Sequence, residues 1–131
     1  MDADARRLVR RRAGSRCEYC RLPQCAVDLK FHVEHIIAKQ HGGGDGPENL
    51  CLSCDRCNLH KGPNLTSIDP LSRQLVPLFH PRQDVWDEHF ELVGDQIVGS
   101  TAAGRATVQL MQMNSARRRQ LRLRLVAEGK W

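Results

Sequence analysis

Two Cys-x-x-Cys pairs, Cys17/Cys20 and Cys54/Cys57, constrain this chain more than any other feature. A two-residue gap lets a knuckle turn aim both sulfurs at one ion about 2.3 Å away, and two knuckles complete a tetrahedron. Such pairs also serve redox chemistry, but no βαβ pattern surrounds either one. The spacing therefore predicts a structural Zn²⁺ held by Cys17, Cys20, Cys54 and Cys57. The 33 residues between the pairs exceed the gap of about 15–20 typical of a zinc ribbon, so a further unit is inserted there. Cys25 and Cys51 fall outside the paired spacing; Cys51 lies in the alternating run Leu50-Cys51-Leu52 and reads as a small strand residue. A staple suits this chain, because 131 residues with six aromatics build only a small core.

Cysteines used as thiols point to a reducing compartment. Met1-Asp2-Ala3-Asp4 leads straight into arginines with no apolar stretch for a secretory signal. The longest apolar run, about Leu75–Phe79, is far too short to span a membrane. A cytoplasmic protein is expected, with no membrane partner.

Twenty basic residues stand against fifteen acidic ones, a net charge of +5. Sixteen of the twenty are Arg, whose planar fork suits phosphate recognition. They cluster at both ends, at Arg6, Arg7, Arg10, Arg11, Arg12 and Arg16, then at Arg117, Arg118, Arg119, Arg122 and Arg124. Each cluster reads either as a solvated helix face or as a contact surface for nucleic acid.

Ala5, Leu8, Val9 and Ala13 fall at helical spacing, with Asp4 as N-cap and Gly14 as stop. Phe31–Ile36 alternates and predicts a strand with Phe31, Val33 and His35 on one face. A loop with four glycines, 41–47, separates it from a second strand at Asn49–Leu52. The second knuckle then launches a helix through Asn58 and Lys61, closed by Gly62-Pro63. The inserted unit is thus a β-hairpin followed by a helix. It brings Glu34, His35, Asn49 and Asn58 together from three elements. Beyond Pro63 the pattern predicts an extended region broken by Pro70, Pro77 and Pro81, then strands at Trp86–Val93 and Gln96–Val98. Helices follow over Ala102–Met113 and Ala116–Ala127, the second with Leu121 and Leu125 as its apolar stripe. Two units are expected, residues 1–62 and residues 63–131.

The stretch Val33-Glu34-His35-Ile36-Ile37, the glycine loop, Asn49-Leu50 and Cys54-x-x-Cys57-Asn58-x-x-Lys61-Gly62 resembles the HNH endonuclease family in its zinc-bearing form. The resemblance covers about Arg16 to Gly62. It implies an α+β fold with a small ββα-metal HNH core stapled by a four-cysteine zinc site. An N-terminal helix precedes this core, and a C-terminal extension of a short hairpin and two helices follows it. It implies hydrolysis of phosphodiester bonds in DNA, with RNA also open, giving a 5′-phosphate and a 3′-hydroxyl. His35 would be the general base, and Glu34 and Asn58 the ligands of a catalytic Mg²⁺ or Mn²⁺. Asn49 would orient the histidine.

The residue types suit this chemistry. A histidine takes a proton from water near neutral pH, and carboxylate or amide oxygens are hard ligands. Glu34 and His35, adjacent on a strand, point to opposite faces unless the strand bends. The alternative readings are that Asn49 simply closes the glycine loop and that Asn58 is a helix cap. Arg56, His60, Lys61, Arg117, Arg118 and Arg122 are the expected nucleic-acid contacts, or else a solvated surface. His32 and His41 read as bystanders. The extension resembles one seen on some bacterial members, and a homodimer through its helices is open. The other functional class compatible with the pattern is a non-catalytic, zinc-stabilised nucleic-acid-binding module.

Overall fold

The computed structural model describes residues 1–131. Helix α1 runs Ala3–Arg12, with the Asp2 carboxylate accepting from the Ala5 amide at 2.8 Å. The cap falls two residues before the expected Asp4, which instead pairs with Arg7 one turn on. Gly14, at φ +62°, ends the helix as expected.

The first hairpin joins strand β1, His32–His35, to strand β2, Leu50–Ser53. They are antiparallel, in register from His32 opposite Ser53 to His35 opposite Leu50. Strand β1 stops short of Ile36, where the chain bends. Helix α2, Asp55–Lys61, starts directly from the second knuckle, because the Cys54 sulfur caps it by accepting from the Cys57 amide at 3.4 Å. This hairpin followed by a helix is the inserted unit the spacing called for.

Two elements of the second half depart from expectation. A second hairpin, β3 (Thr66–Ile68) with β4 (Leu75–Pro77), occupies the region expected to be merely extended. Its strands are three residues long and hide from pattern reading. What holds the turn is Asp69, which accepts from the amides of Leu71 and Ser72 and from Arg105 at 2.9 and 3.0 Å. Trp86–His89 is a helical turn, α3, and not the expected strand. The turn brings Trp86 and Phe90 to a ring separation of 5.0 Å, where a strand would hold them about 13 Å apart. It also lets the indole donate to the Tyr19 carbonyl at 2.8 Å.

A third hairpin pairs β5 (Phe90–Val93) with β6 (Gln96–Gly99) around Gly94-Asp95. Helix α4 spans Ala102–Leu110, capped by the Thr101 hydroxyl, and α5 spans Ala116–Ala127 after Ser115. Helix α4 lies so close to the end of α3 that a Cβ on Gly104 would sit 2.1 Å from the His89 carbonyl oxygen.

One core serves the whole chain. Val9, Tyr19, Phe31, Leu50 and Leu52 meet Phe79, Phe90, Ile97, Met111 and Met113 around the cysteines. Phe79 contacts Tyr19 and Phe90 edge-on at 6.4 and 5.1 Å, favourable aromatic geometry that crosses Gly62. Glu18, beside the first knuckle, pairs with Arg82 and accepts from the Leu52 amide.

Candidate metal centre and catalytic hairpin

The ligand sulfurs of Cys17, Cys20, Cys54 and Cys57 all lie within 4.8 Å of one another, and all four residues are buried. A Zn²⁺ tetrahedron with bonds of about 2.3 Å requires sulfurs about 3.8 Å apart. Cys20 and Cys54 are 3.7 Å apart. The amides of Cys20 and Cys57 donate to the sulfurs of Cys17 and Cys54 at 3.5 and 3.4 Å, so each knuckle turns its backbone dipoles onto its first sulfur. The donor set and spacing fit structural zinc. Hydrogen bonds, that from Cys17 foremost, hold the thiols of Cys20 and Cys54 below their ordinary pKa, while burial pushes those of Cys17 and Cys57 up, so without an ion the four sulfurs do not all ionise.

Arg118, from α5, completes this centre. Its guanidinium donates to Cys57 Sγ at 3.1 Å and to the Met111 carbonyl at 2.8 Å. Burial alone would lower its pKa, but the sulfurs of Cys57, Cys20 and Cys54 hold it above the ordinary value. Arg122, one turn further, is 2% exposed and donates to the carbonyls of Asp95 and Met113 at 2.6 and 2.8 Å. Cys51 stays out of the cluster, as its place in the strand implied. Its sulfur faces the Tyr19 hydroxyl at 3.8 Å, and burial pushes its pKa to about 11.

The hairpin and α2 carry the other expected site residues. Glu34 lies opposite Cys51 on β1 with its carboxylate partly open to solvent. His35 Nε2 lies 2.7 Å from Asp45 Oδ1, and Lys39 Nζ reaches the same oxygen at 3.2 Å. The bond to His35, then that to Lys39, lowers the Asp45 pKa. Asn49 is buried and makes three bonds to the loop backbone. It accepts from the Ile37 amide at 2.9 Å and donates to the carbonyls of Ile37 and Gly44 at 2.9 and 2.8 Å. It thus closes the glycine loop, and makes no hydrogen bond to His35. The closure needs Gly43, where a Cβ would meet the Ile37 oxygen at 1.7 Å.

Asn58 is half-buried inside α2, where Cys54 holds the N-cap, so the reading of Asn58 as a cap does not apply. Lys61, one turn on, is 7% exposed and donates to the Ile36 carbonyl at 2.8 Å. That bond docks the helix bearing Asn58 against the end of the strand bearing Glu34. His32 bridges Asp55 at 3.4 Å and Glu34 at 3.9 Å, so it borders the site more closely than a bystander would.

The expected nucleic-acid contacts divide by orientation. Arg56 and Arg117 are exposed and His60 is half-exposed, whereas Lys61, Arg118 and Arg122 spend their donors on carbonyls and sulfurs inside the protein. The N-terminal cluster is likewise not only a solvated face. Arg12 donates to the carbonyls of Pro47 and Leu50 at 2.9 and 2.6 Å, and Arg10 to that of Phe31 at 2.8 Å, bracing the hairpin from outside. Asp45 goes unassigned in the sequence, while Arg118 and these bracing arginines read there as nucleic-acid contacts or a solvated surface. Asp45 sits in a Gly-Asp-Gly run that signals only a turn, and the arginine partners are backbone atoms far along the chain.

Residues 17–64 match the HNH endonuclease family. The match covers 48 of the chain's 131 residues, a stretch holding both knuckles, the first hairpin and α2. No curated protein and no solved structure gives a significant match to the chain. No helix is long and apolar enough to cross a membrane.

Proposed function

We propose that the protein is a metal-dependent endonuclease hydrolysing phosphodiester bonds in DNA. The observation that carries this reading is the coincidence of the HNH match with the hairpin and helix that bear Glu34, His35 and Asn58. His35 accepts a proton from the attacking water. The water oxygen bonds to phosphorus, the bond from phosphorus to the 3′ oxygen breaks, that oxygen takes a proton from solvent water, and the products are a 5′-phosphate and a 3′-hydroxyl. Glu34 and Asn58 would hold Mg²⁺ or Mn²⁺, a fit supported by their hard oxygen donors. Such an ion supplies Lewis-acid stabilisation of charge on the phosphate and the leaving oxygen. Asn49 holds the loop beside the base, and Arg56, His60 and Arg117 contact flanking phosphates.

Residues 1–62 act as the nuclease unit, and residues 63–131 as an extension that braces its zinc centre. The reading places the protein in the cytoplasm, acting without a membrane and able to pair as a homodimer when both strands are cut.

Incubation of supercoiled plasmid with the zinc-loaded protein in Mg²⁺ and in Mn²⁺ tests the proposal. Nicked or linear product that disappears on chelation of the added ion supports it, and the ratio of the two forms reports dimer action. Plasmid that is bound but never cut in either ion, with single-stranded DNA and RNA equally intact, replaces it with a zinc-stabilised binding module.

A further inference from the structure

Asp45 lies in the glycine loop and is given no role by the resemblance stated above, yet its carboxylate hydrogen-bonds His35. Its Oδ1 lies 2.7 Å from His35 Nε2, the length of a charge-assisted hydrogen bond. An ionised carboxylate only accepts, so the ring nitrogen facing it must carry the hydrogen. A neutral imidazole has one N–H and one lone pair, so that contact leaves the lone pair on Nδ1. A base needs that lone pair at the nitrogen that meets the water.

We infer that Asp45 is a positioning residue that holds His35 with Nε2–H toward the glycine loop and Nδ1 free to accept the proton of the attacking water. The inference rests on the assignment of His35 as the base. Asp45 is itself fixed from two directions. Lys39 Nζ reaches its Oδ1 at 3.2 Å, and Asn49 Nδ2 holds the carbonyl of Gly44, its chain neighbour, at 2.8 Å. The buried Asn49 therefore orients the histidine through the loop, by way of Asp45, and not by a direct hydrogen bond. This accounts for an asparagine whose three bonds all go to backbone. The carboxylate of Asp45 is half-exposed, so its ion pairs add little to folding. Its effect is on the direction of the ring.

Three substitutions in the full-length, zinc-loaded protein test this: Asp45→Ala, Asp45→Asn and His35→Ala. In wild type, proton NMR should detect a downfield Nε2–H resonance of His35, protected from exchange. Asp45→Ala should lose that resonance and retain the wild-type melting temperature. Its kcat on plasmid should fall about 10–100-fold with KM nearly unchanged, the scale for removing a partner that orients a functional histidine. Asp45→Asn, whose side-chain carbonyl still accepts a hydrogen bond, should restore the resonance and most of the rate. An unchanged resonance in Asp45→Ala overturns the inference. So does a rate equal to or above wild type, the latter because the carboxylate would then be masking the reactive nitrogen. His35→Ala separates the two levels: an inactive His35→Ala beside a fully active Asp45→Ala overturns only the role of Asp45. A fully active His35→Ala overturns the base assignment itself.

Discussion

Arg118 donates to Cys57 Sγ at 3.1 Å across 61 positions of sequence, tying the last helix to the zinc centre. Four thiolates around one Zn²⁺ leave a net charge of −2, and the buried guanidinium offsets part of it. Arg118→Met keeps the bulk of the side chain and removes the charge. It should lower stability by about 1.5–3 kcal/mol, the range for a hydrogen bond to a charged group. It should also speed zinc transfer to a chelating dye, with Arg118→Lys intermediate because a point charge replaces a fork. Urea unfolding together with dye competition reads both effects. Unchanged values in both would remove Arg118 from the centre.

The buried thiol of Cys51 makes stability depend on alkaline pH. Burial raises its pKa from the ordinary 9.0 to about 11, so between these values the folded state holds a proton that the unfolded chain has released. A raised pKa of this kind contributes stability fully present below about pH 9 and lost as pH climbs toward 11. The loss is roughly 2–3 kcal/mol at the upper end. Cys51→Ala costs a cavity at every pH but lacks this titration. The stability gap between wild type and variant should therefore narrow from pH 7.5 to 10.5. A constant gap in denaturant titrations contradicts the assignment.

Adjacent glycines of the loop should behave differently. At Gly43 an added Cβ would overlap the Ile37 carbonyl at 1.7 Å and crowd Asn49 Nδ2 at 2.9 Å, whereas nothing lies within 4 Å of one at Gly44. Gly43→Ala should displace the loop closed by Asn49, costing about 1–3 kcal/mol, and depress cleavage. Gly44→Ala should stay within about 0.5 kcal/mol of wild type. Equal melting temperatures and rates for the two variants would refute the clamp.

Much of this was legible in the sequence where information is local. The knuckle spacing predicted the cysteine cluster, alternation predicted the first hairpin, and Cys54–Gly62 predicted α2. What escaped depends on partners distant in the chain. The β3–β4 turn is held by Asp69 and Arg105, 36 positions apart, and neither strand is long enough to show a period. Trp86–His89 winds into a helical turn because Tyr19 and Phe90 capture the indole, an effect that propensity does not encode. Charge clustering finds arginines but not their orientation. Arg117 faces solvent, while Arg118 and Arg122 on the same helix turn inward to sulfurs and carbonyls. Asn49 satisfied two readings on paper, and its three backbone bonds select loop closure.

Zinc should be part of the folding free energy, because four buried thiols around no ion make a poor core. Cys54→Ser removes a ligand while its hydroxyl can still cap α2, so the cooperative melting transition it should lose reports the metal site and not the helix cap. Prolonged chelation of the wild type should produce the same collapse, reversed on adding Zn²⁺. A Cys54→Ser protein that melts like wild type contradicts the zinc site.

If His35 activates the water that cleaves the phosphodiester, removing its imidazole should abolish cleavage and nothing else. Wild type and His35→Ala are compared on supercoiled plasmid in Mg²⁺, with binding to the same DNA and the melting temperature measured alongside. The variant should fold and bind like wild type but leave the plasmid intact. Wild-type cleavage by His35→Ala would contradict this role of His35.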